Sequence, residues 1–121
     1  MEILELIKAL SHENRLRIIN LLKEQELCVC EMESIMGINQ SNASRHLAKL
    51  KQAGIIEDEQ KAQWVYYKLN QKLLHQHRFI HNILEDELKS LKNCKSDLER
   101  LRKYSESNIS CEELSETHIF E

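Results

Sequence analysis

EMESIMGINQSNASRHLAKLKQAG, residues 31–54, decides the fold. Met32, Ile35 and Met36 fall on one side of a short amphipathic helix, and Gly37 ends it. Asn39 or Ser41 then caps a second helix, Gln40 to Gln52, whose inward side is Ala43, Leu47 and Leu50. Gly54 stands at the natural C′ position of that helix.

Downstream, Ile55 to Glu59 and Gln63 to Leu69 read as two strands, the second carrying Trp64, Val65, Tyr66 and Tyr67. Gln60-Lys61-Ala62 joins them without an Asn-Gly or Asp-Gly turn. Upstream, Ile3, Leu6, Ile7 and Leu10 repeat at helical spacing. Ser11 is positioned to cap a helix from Glu13 to Lys23, with Leu16, Ile18, Ile19, Leu21 and Leu22 as its apolar stripe, and Glu24 to Leu27 form a loop. Four helices, a small β-hairpin and a final helix make a mainly α protein, a winged helix-turn-helix.

The final helix is expected to run from Gln71 to Tyr104. Ile80, Ile83, Leu84, Leu88, Leu91, Leu98 and Leu101 share a broad face with heptad-like spacing at 84, 91 and 98. A pattern this long without internal caps predicts pairing, hence a symmetric homodimer through the first and last helices. Residues 1–104 are then a DNA-binding and dimerisation domain. Residues 105–121 are an acidic tail, loose or with a short helix near Cys111 to Ser115.

The chain has 121 residues, 31% of them charged, with two glycines and no proline. One winged helix and a pairing helix use nearly all of that length, leaving little for an enzyme's cleft. The net charge of −3 is unevenly spread. Residues 1–38 hold four cations and seven carboxylates, 39–70 five and three, and 71–121 eight and ten. The only net-positive segment is the helix-and-hairpin unit, so an acidic total does not exclude nucleic acid. The N-terminus carries carboxylates where a signal peptide has positive charge, and no apolar run approaches a membrane span; a cytoplasmic location without membrane association is expected.

The helix from Gln40 presents Gln40, Ser41, Asn42, Ser44, Arg45, His46, Lys49 and Lys51 outward. Arg and Lys bridge guanine edges, Asn and Gln pair with adenine, and Ser contacts base or phosphate, so these types suit a major-groove helix on duplex DNA. Its N-terminal residues should read bases. Lys61, Gln63 and Lys68 on the hairpin are placed for flanking phosphates.

Of four cysteines (Cys28, Cys30, Cys94 and Cys111), the first two are one residue apart, too close for an unstrained mutual disulfide. On a regular helix they would point about 200° apart. Both can reach one soft ion only where the backbone departs from helix. The alternative is a pair of small buried hydrophobes.

Four blocks in order, SHENRLRI (11–18), ELCVCEM (26–32), QSNASRHL (40–47) and LKQAGII (50–56), resemble the ArsR family of metal- and metalloid-responsive bacterial repressors. The resemblance covers roughly residues 2 to 70. It implies a homodimeric repressor, not an enzyme, that leaves its operator on binding a toxic ion. Glu-Leu-Cys-Val-Cys-Glu is similar to the family's arsenite-sensing motif, which implies trivalent arsenic or antimony on Cys28 and Cys30 and no catalytic cofactor. No third cysteine follows at Glu33, Ser34, Ile35 or Met36, where some relatives carry one. The third sulfur is then Cys111 from the tail of either subunit, or Cys94, or none.

Two other readings stay open. Cadmium- or lead-sensing relatives use the same pair with cysteines on an N-terminal extension, for which this chain begins too close to its first helix. A thiol oxidation sensor would pair Cys28 or Cys30 with Cys94 or Cys111. His75, His77, His81 and His118 read as surface or interface residues, because Leu88 stands where zinc-sensing relatives have a second ligand pair. An arsenate reductase needs an anion-cradling loop that glycine-poor 28–36 lacks.

Overall fold

A computed structural model describes residues 2–114, with only the backbone of Cys111 and Glu112. The elements are α1 (Ile3–Leu10), α2 (Glu13–Glu24), β1 (Leu27–Cys28), α3 (Val29–Met36), α4 (Gln40–Gln52), β2 (Ile56–Lys61), β3 (Trp64–Leu69), α5 (Gln71–Gln76), α6 (Arg78–Glu85), a 3-10 turn (Glu87–Ser90), α7 (Lys92–Ser107) and α8 (Cys111–Leu114). His118 lies outside the described residues, as do residues 115–121 of the expected acidic tail. No helix among the described residues is long and apolar enough to cross a membrane.

The glycine stops fall where the sequence puts them. Gly37 takes φ 69° after Met36, and its N–H bonds the Glu33 carbonyl at 2.9 Å. Gly54 takes φ 80° after α4, and a Cβ there would lie 3.2 Å from Leu73 Cδ1. A side chain at Gly54 is therefore opposed twice, by the left-handed backbone and by the close neighbour. Asn39 caps α4 by accepting the Asn42 N–H at 2.9 Å. At α2 the cap is His12 rather than Ser11: its Nδ1 accepts the Asn14 N–H at 3.1 Å.

The wing is a three-stranded antiparallel sheet of order β1-β3-β2, not a two-stranded hairpin. Leu27 pairs with Tyr67 and Cys28 with Tyr66, so part of the expected loop is a strand. Two residues cannot form a strand alone; β3 supplies the partner. The turn is Ala62-Gln63, with Ala62 at φ 58°, a conformation costing a non-glycine residue roughly 1–2 kcal/mol.

The expected helix over 71–104 is broken into three α-helical pieces and a 3-10 turn. Unbroken, it would be roughly 50 Å long, too long for its whole apolar face to touch one small core. Breaks at His77 and around Glu87–Ser90 let Leu74, Ile80, Leu84, Leu88, Cys94, Leu101 and Tyr104 all be buried, with α6 and α7 both packed on α2.

One buried ion pair ties these layers. Asp97 of α7 is fully buried and takes Arg17 of α2 in a two-pronged bond, Nε at 2.7 Å and an Nη at 2.8 Å. The same Nη donates to the Met36 carbonyl at 2.8 Å, and the other to Asn14 Oδ1 at 3.1 Å. The Asp97 carboxylate holds the guanidinium pKa above its ordinary value, against the opposing effect of burial. Arg17 thus supplies the donor that the last carbonyls of α3 lack within their own helix.

Candidate functional site

The exposed face of α4 carries Gln40, Ser41, Ser44, Arg45 and Lys49, with Asn42 half-buried. Asn42 Oδ1 accepts an Arg45 Nη at 2.9 Å, which orients that guanidinium along the face. Lys49 lies toward the C-terminal half, lining a cleft of about 520 Å³ with Lys8 and Arg15. Lys51 is turned to the wing, where it pairs with Asp58 at 2.8 Å.

His46 does not share that face. It is 3% exposed, and its ring lies tilted against that of His12, with centroids 4.3 Å apart. Burial lowers its pKa, and His12, Arg15 and Arg45 lower it further. Positions 43, 46, 47 and 50 form the i, i+3, i+4, i+7 stripe that packs inward. A buried ring cannot reach a base edge; its role is to seat α4 on the start of α2.

On the wing, Lys61 is drawn to Glu26 at 2.9 Å and lies 5.5 Å from the Tyr66 ring centre. Gln63 occupies the exposed turn, and Lys68 is half-buried on β3.

The thiols stand at the junction of wing and α3. Cys28 ends β1 and is the N-cap of α3, with extended backbone (φ −92°, ψ 169°), while Cys30 is the second residue of the helix. The pair straddles a helix start, the irregularity that two i, i+2 thiolates need to share one ion. Cys28 is 2% exposed and Cys30 half-buried. Burial pushes the Cys28 thiol up to about 11, and the negative charge of Glu31 adds to this while its backbone N–H opposes it. Cys94 is buried on α7, against α2, and burial beside Asp97 also pushes it up to about 11.

Cys28 and Cys94 are reduced thiols outside any disulfide, whereas Cys30 is disulfide-bonded. The Cys111 side chain lies outside the described residues, but its helix α8 packs against α3. Among the described residues no group of three or more His, Cys, Asp or Glu is arranged to hold a metal. His75 and His81 are exposed, and His77, at the α5–α6 break, lies edge-on to Phe79.

Two residues of this site carry no signal in the sequence. Glu31, 7% exposed, accepts the Cys28 N–H at 2.8 Å through Oε1 and the Tyr104 hydroxyl through Oε2. Its own N–H donates to the Cys28 sulfur, completing a capping box with a thiol in place of the usual hydroxyl. Tyr104, 73 positions later, closes the network from α7, and burial and Glu31 hold its phenol pKa above the ordinary value.

Residues 12–58 match the family described as bacterial regulatory protein, arsR family. The chain is 47% identical over 64 residues to the arsenic resistance transcriptional regulator ArsR1 of Pseudomonas putida, covering 52% of this chain and 50% of that one. It is 41% identical over 68 residues to the arsenical resistance operon repressor of Escherichia coli, covering 55% and 58%. The matched stretch therefore spans little more than half the length of these curated relatives. Among solved structures, the transcriptional regulator HlyU of Vibrio vulnificus aligns with a TM-score of 0.55 at 34% identity, over 66% of this chain and 84% of that one.

Proposed function

Because the chain belongs to the ArsR family of bacterial regulatory proteins, we propose that it is a homodimeric repressor released from operator DNA by trivalent arsenic or antimony. Gln40, Ser41, Asn42, Ser44 and Arg45 read the major groove, and Lys49, Lys61 and Gln63 contact phosphate. Cys28 and Cys30 hold the ion, with Cys111 as the candidate third sulfur. The names of two relatives support an arsenical as the inducer and a regulatory rather than catalytic role.

The observation that carries the reading is the placement of the pair, with Cys28 as N-cap and Cys30 on the first turn of α3. Arsenite enters as As(OH)3. Each thiol that binds gives its proton to a departing hydroxide, so two thiols yield a dithiolate with one remaining hydroxyl and two waters. A third thiol would displace the last hydroxyl. Bringing both sulfurs onto one atom pulls Cys28 out of its cap and away from β3. The helix so disturbed is the one that supports α4, and the strand so disturbed is the edge of the wing. Ion and DNA are thereby coupled, each weakening the other.

Dimerisation is supported by α1, where Ile3, Leu4 and Ile7 are 56%, 61% and 46% exposed on a helix that buries Leu6, Ala9 and Leu10 in the core. A second copy covering that face also pairs two α4 helices for successive major-groove half-sites.

The test is operator binding by reduced protein titrated separately with arsenite, antimonite, cadmium and zinc. Release by arsenite and antimonite at the lowest concentrations is expected; release by cadmium alone would move the assignment to a soft divalent cation.

The bonded state of Cys30 supports a second reading, a thiol oxidation switch. Two thiols and hydrogen peroxide give a disulfide and two waters, with both sulfurs oxidised and the peroxide reduced. Peroxide-driven operator release accompanied by a new band on a non-reducing gel would favour it.

A further inference from the structure

The capping box around Cys28 is anchored from outside its own helix. A capping glutamate ordinarily faces solvent and turns freely. Here both Glu31 oxygens are engaged within a buried site, one by the Cys28 N–H and the other by Tyr104 on α7. Tyr104 is itself only 8% exposed, so the bond is shielded from water. Cys28 is further fixed by pairing with Tyr66 of the wing. An incoming ion cannot meet the Cys28 sulfur until this assembly opens, and Glu31 cannot swing aside while Tyr104 holds it.

We propose that Tyr104 and Glu31 form a latch that keeps Cys28 in its buried cap position and makes opening of the thiol site depend on α7. Tyr104 is a positioning residue, acting on Cys28 only through Glu31. The proposal rests on Cys28 and Cys30 being the ion-binding pair and adds how access to them is controlled. The closed latch belongs to the DNA-competent arrangement, because it preserves the cap of α3 and the β1–β3 pairing. Weakening the latch should therefore move two affinities in opposite directions: operator binding falls and arsenite binding tightens. A substitution that merely loosened the fold would weaken both.

The experiment compares full-length reduced wild type with Tyr104→Phe. Iodoacetamide labelling is followed site by site by mass spectrometry, with no ion or DNA present. Cys94, 1% exposed and outside the Glu31 network, reports global opening in the same molecule. Loss of a hydrogen bond to a charged acceptor predicts about a tenfold rise in Cys28 labelling with Cys94 unchanged. Arsenite affinity should rise and operator affinity fall by a similar factor. An unchanged Cys28 rate, or equal acceleration at Cys28 and Cys94, overturns the latch.

Glu31→Gln retains an acceptor for the Cys28 N–H and a donor for the Tyr104 oxygen, so it should keep most of the protection. Glu31→Leu should not; equal rates in these two variants would also overturn the proposal, whether or not Tyr104→Phe folds. Failure of wild type to release DNA with arsenite would count against the ion-sensing assignment, while the labelling ratio, which needs no ion, would still decide the latch.

Discussion

Replacing Asp97 by leucine strands the Arg17 guanidinium in the core. Its side chain is 10% exposed, and Asn14 Oδ1 and the Met36 carbonyl are its remaining partners, neither charged. Removing one member of a buried pair costs about 3–5 kcal/mol, because the other charge stays desolvated. A domain this size has a total stability of roughly 5–15 kcal/mol. With an unfolding entropy near 2.1 cal/mol/K per residue, each kcal/mol is worth about 4 °C, so the melting temperature should fall by roughly 12–20 °C. Circular dichroism melts and urea titrations read this directly. The double variant Arg17→Met/Asp97→Leu removes both charges and should recover to within about 1 kcal/mol of wild type. It still lacks the donor to the Met36 carbonyl at the end of α3, so its operator affinity should stay below wild type after stability returns. A cost below about 1 kcal/mol for Asp97→Leu, or a double variant no more stable than the single one, would refute this account of the Arg17–Asp97 pair.

Other outcomes follow from the same geometry. His46 stays neutral when folded, with its pKa below the ordinary value; stability is intact above about pH 6.5 and lost as pH falls, because the unfolded chain then takes up the proton more readily. His46→Phe should flatten the decline in urea midpoint between pH 7 and 5, and an equal decline would contradict the assignment. Cys28 holds its proton up to about pH 11, so its stabilising contribution is present below about pH 9 and lost toward pH 11. Cys28 should therefore label slowly at pH 8 and faster as pH rises; ordinary thiol reactivity at pH 8 would count against its buried cap position. Ala62→Gly relieves the left-handed turn and should raise stability by about 0.5–1 kcal/mol in chemical denaturation.

The features legible in the sequence are those written locally. Gly37 and Gly54 mark helix ends because only glycine sits cheaply in a left-handed C-cap, and the 32/35/36 and 43/47/50 spacings expose two inward faces. The spacing Cys28-Val29-Cys30 likewise shows a thiol pair. Features created by distant partners were not visible. β1 exists only because β3 pairs with it, and the breaks at His77 and Glu87–Ser90 arise because one short core must receive every apolar turn. The Glu31–Tyr104 and Arg17–Asp97 bonds span 73 and 80 positions. His46 differs: its place on the 43/46/47/50 stripe was readable, and its polar type hid it among the outward residues.

The proposed switch is the pair of thiols at the start of α3, which sets the hold on DNA. Its most direct test is fluorescence anisotropy of labelled operator with reduced wild type, Cys28→Ser and Cys30→Ser, each titrated with arsenite. Wild type should lose operator affinity by roughly 5- to 150-fold, the usual range of coupling between two sites, while both serine variants stay bound at the same arsenite concentration. Release of the variants at wild-type concentrations would contradict the account.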